Sequence, residues 1–274
     1  MVLNNRMTRI LVALIAIPLI VFISYYGRLP FYLLILFIGM TAFYEFSKMS
    51  LNKSIFVNIP VGLISVFFII TNSYIDVINF EHLSLMIIIV LLLNELFRDK
   101  ASAINNLGAT LLGIFYIGLF TGTIISIREF FGLTVGSYKH GGILIISILA
   151  TIWICDSAAY FLGSAFGKHK LFPRVSPKKS WEGGIAGFVF AVITMILVKV
   201  WVLTILSWQD ALVIGVIVGT IGQLGDLVES LIKRDAGVKD SSNIIPGHGG
   251  IFDRFDSLLF SSPVIYLYLI YFVK

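Results

Sequence analysis

Apolar residues fill this chain in runs of about twenty, separated by short polar stretches. Nine runs can be marked off, at 10–26, 30–47, 55–72, 82–98, 105–127, 142–164, 183–205, 209–232 and 255–273. Each approaches the roughly 20 residues an α-helix needs to cross a bilayer. Polar and apolar positions do not alternate within them, which argues against a transmembrane β-barrel. The pattern predicts an all-α, polytopic helical integral membrane protein with about nine transmembrane helices. Arg6 and Arg9 precede the first run as in a signal peptide, yet that run is as long as a spanning helix and no small-residue cleavage site ends it. It reads as a retained helix. No polar stretch is long enough to fold alone. The expected organisation is therefore a scaffold region, 1–140, with about five helices and the lipid or oligomer contacts. A catalytic membrane region, 141–274, follows with two cytoplasmic loops.

Composition sharpens the class. Hydrophobic residues make up 58% of the chain, above the roughly 45–50% of soluble domains. The single cysteine, Cys155, rules out an intrachain disulfide. The net charge of +5 matters less than its placement. With the N-terminus inside, fifteen Lys and Arg residues fall on the inner loops. Four fall outside (Arg28, Arg128, Lys139 and Lys274), and Lys199 lies near the outer end of its span. The positive-inside rule then puts the N-terminus in the cytoplasm, the C-terminus on the far side, and loops 165–182 and 233–254 in the cytoplasm. The expected location is the inner (plasma) membrane of the cell.

Against that background the acidic residues stand out. Charge beside lipid is costly, about 2.5–3.5 kcal/mol per residue at a helix centre on insertion scales. Asp156 lies two-thirds along the sixth run, Asp226 and Glu229 near the inner end of the eighth, and Asp253 and Asp256 at the start of the ninth. All five are expected at a similar depth toward the cytoplasmic side. Asp226, Glu229, Ser230 and Lys233 share one face of a helix by their i, i+3, i+4, i+7 spacing. Carboxylates at one depth on different helices repel unless a cation lies between them, and hard divalent ions favour such oxygen sites. The simpler account is a set of buried ion pairs with Lys178, Lys179, Lys233, Arg234 and Arg254 that merely fixes helix packing.

The two inner loops add cations and glycines. Their lysines serve topology and attraction to anionic headgroups, about 1 kcal/mol per basic residue. That does not explain Ser176-Pro177-Lys178-Lys179-Ser180 set directly before a helix with Glu182 in its first turn. Hydroxyls, ammonium groups and a helix N-terminus together suit an anion. Gly247, Gly249 and Gly250 would let backbone N–H groups approach phosphate. His248 on its own reads as a hydrogen-bonded loop histidine. Glu45 and Glu95, at the inner ends of the second and fourth runs, read as capping or paired groups. Together these features suggest a metal- and polyanion-binding site at the cytoplasmic membrane surface, suited to phosphoryl transfer by positioning and charge neutralisation.

One stretch carries a resemblance. Ser230-Leu231-Ile232-Lys233-Arg234, then Lys239-Asp240, then Pro246-Gly247-His248-Gly249-Gly250-Ile251-Phe252-Asp253-Arg254-Phe255-Asp256 resembles the signature of the phosphatidate cytidylyltransferases, or CDP-diacylglycerol synthases. Further matches are Asp156-Ser157-Ala158-Ala159-Tyr160, Gly163, Phe166-Gly167-Lys168, and Ser176 to Gly183. The likeness is dense from about 150 to 260 and general before that. It departs at Ser164, where many members have Arg; Lys168 or Lys170 is the stand-in expected there.

The resemblance implies that CTP and phosphatidate give CDP-diacylglycerol and diphosphate, with Mg2+ and a second cation, K+ among the candidates, between carboxylates of the last helices. It implies Asp226 and Asp253 as the leading metal ligands, then Asp256 and Asp156. Lys233, Arg234, Lys239, His248 and Arg254 are the expected catalytic group. Ser176, Lys178, Lys179, Ser180, Ser230, Gly249 and Gly250 are expected on substrate phosphate. Expected partners are CTP, phosphatidate, the lipid bilayer and a second copy in a homodimer, with no nucleic acid. The rivals are a CTP-dependent polyprenol kinase, which would release CDP, and an ion or anion transporter. A transporter needs polar residues in the outer halves of several spans, and those halves are nearly all apolar.

Overall fold

The computed structural model describes residues 5–132, 137–245, 247 and 249–273, with side chains at 10 and from 12 onward. Helices dominate: α1 (Asn5–Tyr26), α2 (Arg28–Ser50), α3 (Ile59–Ile75), α4 (Phe80–Leu96), α5 (Ala103–Leu112), α6 (Phe120–Glu129), α7 (Tyr138–Phe166), α8 (Trp181–Trp201), α9 (Trp208–Ile217), α10 (Gln223–Asp235) and α11 (Phe252–Phe272). Wider π-helical turns, Gly113–Leu119 and Val218–Gly222, join α5 to α6 and α9 to α10. Most of every predicted apolar run falls on helix, with 55–58 and 202–205 among the residues outside.

Six helical stretches among the described residues are long and apolar enough to cross a membrane. They are Arg28–Lys53, Ala103–Glu129, Tyr138–Phe166, Trp181–Trp201, Trp208–Asp235 and Phe252–Phe272. The chain has the helices of a polytopic membrane protein, with fewer full-length spans than the nine expected. Val12–Tyr26, the part of α1 with continuously described side chains, and Ile59–Ile75 are apolar helices of shorter length. α3 and α4 have 17 residues each, about 26 Å of helix at 1.5 Å per residue against a hydrocarbon core of about 30 Å. A second difference is local. The stretch expected as a loop before α8 contains an antiparallel hairpin, β1 (Lys170–Phe172) and β2 (Ser176–Ser180), with Lys170 opposite Ser180 and Phe172 opposite Ser176.

Local chemistry sets the boundaries. Asn58, Asn79 and Ser102 cap α3, α4 and α5 by accepting from Val61, Glu81 and Asn105 N–H groups. Ser207 and Asp210 form a capping box at α9. Inside α11, Pro263 cannot donate to the Leu259 carbonyl, and the Ser262 hydroxyl donates there at 3.1 Å. Such substitution is how proline is tolerated in an apolar helix.

Two compact units arise. One comprises Met1–Ile23, Gly27–Ser126 and Lys233–Arg254; the other comprises Ser24–Tyr26, Ile127–Ile232 and Phe255–Lys274. In the first, α2 packs on α3 and on the π-helical turn 113–119, around buried Phe43, Phe46, Ile69, Ile70, Ile114 and Ile117. Glu95 accepts from Arg98 at 2.6 Å and from Asn106 at 2.8 Å, so its expected pairing is seen.

In the second unit, α7 packs on α8 and α8 on α9, around Leu144, Ile148, Ala191, Met195 and Ile214. Packing and hydrogen bonds, rather than exclusion of water, drive such contacts in lipid. Arg128, expected in an outer loop, is fully buried. It donates to the Ser24, Tyr25 and Tyr138 carbonyls at 2.8–3.0 Å and lies over the Tyr138 ring. A guanidinium has donors enough to satisfy the last carbonyls of α1, which outweighs the tendency of Arg to face water.

Candidate active site

In the second unit, α10 begins just after the π-helical turn, and Gln223 occupies its first position. The Gln223 amide donates to the Gly219 carbonyl within the turn at 2.5 Å and to the Gly184 carbonyl in the first turn of α8 at 3.0 Å. One residue thus fixes the start of α10 against α8. Asp226 and Glu229 follow on α10, and Asp256 comes from α11. These three carboxylates lie within 4.8 Å of one another. Glu229 is fully buried. Ser230 donates to Asp226 Oδ1 at 3.2 Å, and Asp256 Oδ1 accepts from the Ser257 N–H at 2.6 Å.

The β2 strand brings a cation to this cluster. Lys179 Nζ lies 2.5 Å from Asp226 Oδ2. Ser180, expected on phosphate, is buried and caps α8 by accepting from the Gly183 N–H at 3.2 Å. The hairpin is tied down from its other side, where His169 Nδ1 meets Glu182 Oε1 at 2.7 Å. Ser176 is half-buried and Lys178 exposed. Asp156 sits on an exposed face of α7.

The first unit holds a second polar group. Lys233 Nζ and Asp253 Oδ1 are 2.6 Å apart, with side chains only 10% and 6% exposed. Asp253 Oδ2 accepts from Ser241 N at 2.9 Å, Ser241 Oγ at 2.8 Å and Gly250 N at 2.8 Å. Asp253 lies in the first turn of α11, where a negative charge complements the helix dipole. The glycines expected to admit phosphate make room for carboxylates. A Cβ on Gly249, at φ +83°, would come within 2.7 Å of Asp253 Oδ2. One on Gly250 would come within 2.0 Å of Ser241 Oγ and 2.5 Å of Glu45 Oε2. Arg234 donates to the Val238 carbonyl at 2.8 Å, and Lys239 and Arg254 are exposed. His248 lies outside the described residues.

Several expectations thus meet and others separate. Asp226, Asp256 and Lys179 come together, and Glu229 joins them. Asp253, expected beside Asp226 as a metal ligand, belongs to the other unit and engages Lys233, Ser241 and Gly250. Glu45 is hydrogen-bonded as the capping or paired reading expects, accepting from Ile251 and Phe252 N–H at the start of α11, whereas the place of Gln223 was not foreseen. A glutamine in an apolar run carries no charge to draw notice.

Three carboxylates confined to so small a space are relieved of their mutual repulsion by a cation among them or by a retained proton. The ammonium of Lys179 already takes a cation's place on Asp226. An all-oxygen set of this kind fits Mg2+, so the residues present suit a hard divalent metal.

Helices of membrane-spanning length and a tight carboxylate cluster with Lys179 upon it define a membrane protein with a charged site beside its apolar helices. The sequence pattern of the Cytidylyltransferase family matches residues 7–272, and the chain belongs to that family. It is therefore a nucleotidyltransferase. Its relatives include the phosphatidate cytidylyltransferase of Bacillus subtilis, 35% identical over 95% of this chain and 96% of that protein. The phosphatidate cytidylyltransferase of Staphylococcus epidermidis is 32% identical over 96% of this chain and 98% of its own. That of Brucella suis is 30% identical over 97% and 93% respectively.

Proposed function

We propose that this chain makes CDP-diacylglycerol from CTP and phosphatidate. The observation that carries the reading is the gathering of Asp226, Glu229 and Asp256 within 4.8 Å, with Lys179 upon them, in a chain matched to the family along almost its whole length. An oxygen of the phosphatidate phosphate forms a bond to the α-phosphorus of CTP. The bond from that phosphorus to the oxygen bridging the β-phosphate breaks, and diphosphate leaves. A phosphate monoester dianion is nucleophilic by itself, so no protein nucleophile is required; Cys155 is buried and takes no part.

Asp226, Glu229 and Asp256 are the residues that would hold Mg2+, with Asp156 proposed for a second cation such as K+. When bound, the metal withdraws charge from the phosphate oxygens and lowers the repulsion between two anionic substrates. Lys179, Lys233, Arg234, Lys239 and Arg254 neutralise the triphosphate and the leaving diphosphate. Ser176, Lys178, Ser230 and His248 are proposed as further phosphate contacts.

We place the N-terminus and both charged loops in the cytoplasm, with nine crossings of the inner membrane. The short α3 and α4 are accommodated by local thinning of the bilayer. Phosphatidate then enters from the inner leaflet and CTP from water. A homodimer is the proposed assembly.

Product analysis tests this. Detergent-purified protein given CTP labelled in the cytidine, phosphatidate and Mg2+ is expected to place the label in lipid and to release diphosphate. Label found in free CDP beside a newly phosphorylated lipid would indicate a lipid kinase. Folded protein that binds phosphatidate and yields neither product would overturn the enzymatic reading.

A further inference from the structure

Glu45 is a carboxylate that neither the apolar pattern nor the acidic cluster calls for. It projects from α2 and is 1% exposed. Its two oxygens lie within hydrogen-bonding distance of four donors on one short segment: Ser242 Oγ at 2.5 Å, Ile251 N at 3.0 Å, Phe252 N at 2.8 Å and, shared with Asp253, Ser241 Oγ at 3.0 Å. All four donors are hydroxyl or backbone N–H groups. Two of them are N–H groups that the start of α11 leaves without helical acceptors. A negative charge at that helix terminus is favourable, which explains how a buried carboxylate persists at this depth.

The same segment grips Asp253. The Ser241 hydroxyl has a single proton and lies 3.0 Å from Glu45 Oε2 and 2.8 Å from Asp253 Oδ2. Ser241 N–H and Gly250 N–H both donate to Asp253 Oδ2. Glu45 therefore fixes Ser241, Ser242, Ile251 and Phe252 from one side, while Ser241 and Gly250 fix Asp253, and through it Lys233, from the other. Gly250 lies between the two carboxylates at a distance that admits no Cβ.

We infer that Glu45 is a positioning residue for cytidylyl transfer. It makes no contact with substrate and holds Ser241, Ser242, Ile251 and Phe252 in the arrangement that aims the Asp253–Lys233 pair. The inference rests on the reading given under Proposed function. A carboxylate is required, because an amide in its place offers one accepting oxygen and turns an NH2 toward donors.

The test combines kinetics with amide hydrogen exchange on the full-length protein in detergent. Glu45→Gln is expected to lower kcat for diphosphate release about tenfold or more, with KM for phosphatidate within twofold, and to speed exchange at Ile251 and Phe252. Glu45→Asp is expected to regain part of the loss. Combined with Asp253→Asn, Glu45→Gln is expected to cost nothing further, since both act through one group. Multiplying losses, or an active Glu45→Gln protein with kcat within twofold of wild type, would overturn the role. Should Glu45→Gln fail to fold, Ser242→Ala removes one of the four donors and is held to the same criteria at a smaller loss. Wild-type protein that releases no diphosphate would instead sink the transferase reading beneath it.

Discussion

Lys233 and Asp253 show what a single charge costs in this chain. Their side chains are only 10% and 6% exposed, and they meet at 2.6 Å. Removing one member of a buried pair leaves the other charge uncompensated, a loss of about 3–5 kcal/mol. Lys233→Met is therefore expected to lower the thermal unfolding midpoint sharply, and Lys233→Met with Asp253→Asn to recover part of the loss. A double variant as unstable as the two single losses combined would contradict the pairing. Gly250 makes a steric counterpart. A methyl group there meets Ser241 Oγ and Glu45 Oε2, and Gly250→Ala is expected to destabilise by about 1–3 kcal/mol, as overpacking does, read from the same unfolding curve. The charges themselves were legible in the sequence. So was the pairing of Lys179 and Lys233 with carboxylates; the hydrogen bonds of Glu45 were not, because Glu45 and Ser241 are separated by 196 residues and nothing in local spacing links them.

Among the elements, the apolar runs located every helix, since length and hydrophobicity are read directly. The π-helical turn 218–222 was invisible. One extra residue per turn leaves an apolar run just as apolar, so periodicity gives no sign of it. Its consequence is large, because it sets the direction in which α10 presents Asp226. Gln223 is its lock, through the Gly219 and Gly184 carbonyls. Gln223→Leu leaves both carbonyls without that donor, at about 1–3 kcal/mol for a buried unsatisfied group. The expected outcome is a lower unfolding midpoint together with a lower kcat for diphosphate release. Unchanged kcat in the destabilised variant would mean that the turn serves packing alone. The hairpin was equally illegible: Ser176-Pro177-Lys178-Lys179-Ser180 has no alternation of apolar and polar residues, and the strand pairs only because β1 lies across a short turn.

For the whole molecule, the bias of positive charge makes a prediction that the helices alone do not. With the N-terminus in the cytoplasm, a cysteine replacing Lys139 is expected to react with an impermeant maleimide on intact cells. One replacing Lys100 should react only after permeabilisation. Cys155 is buried, so the background is low. Reversed labelling would invert the topology and put the basic loops on the wrong face for CTP.

The account stands most directly on Asp226, the carboxylate that meets Lys179, Ser230 and the Glu229–Asp256 cluster. The decisive measurement is diphosphate release by Asp226→Asn against wild type over a range of Mg2+ concentrations, with unfolding midpoints recorded with and without the ion. The expected result is a loss in kcat on the order of 100-fold or more, the scale at which removal of a charge-stabilising group is felt, and disappearance of any stabilisation that Mg2+ gives the wild type. A folded Asp226→Asn protein with near-normal turnover and an unchanged response to Mg2+ would contradict the account.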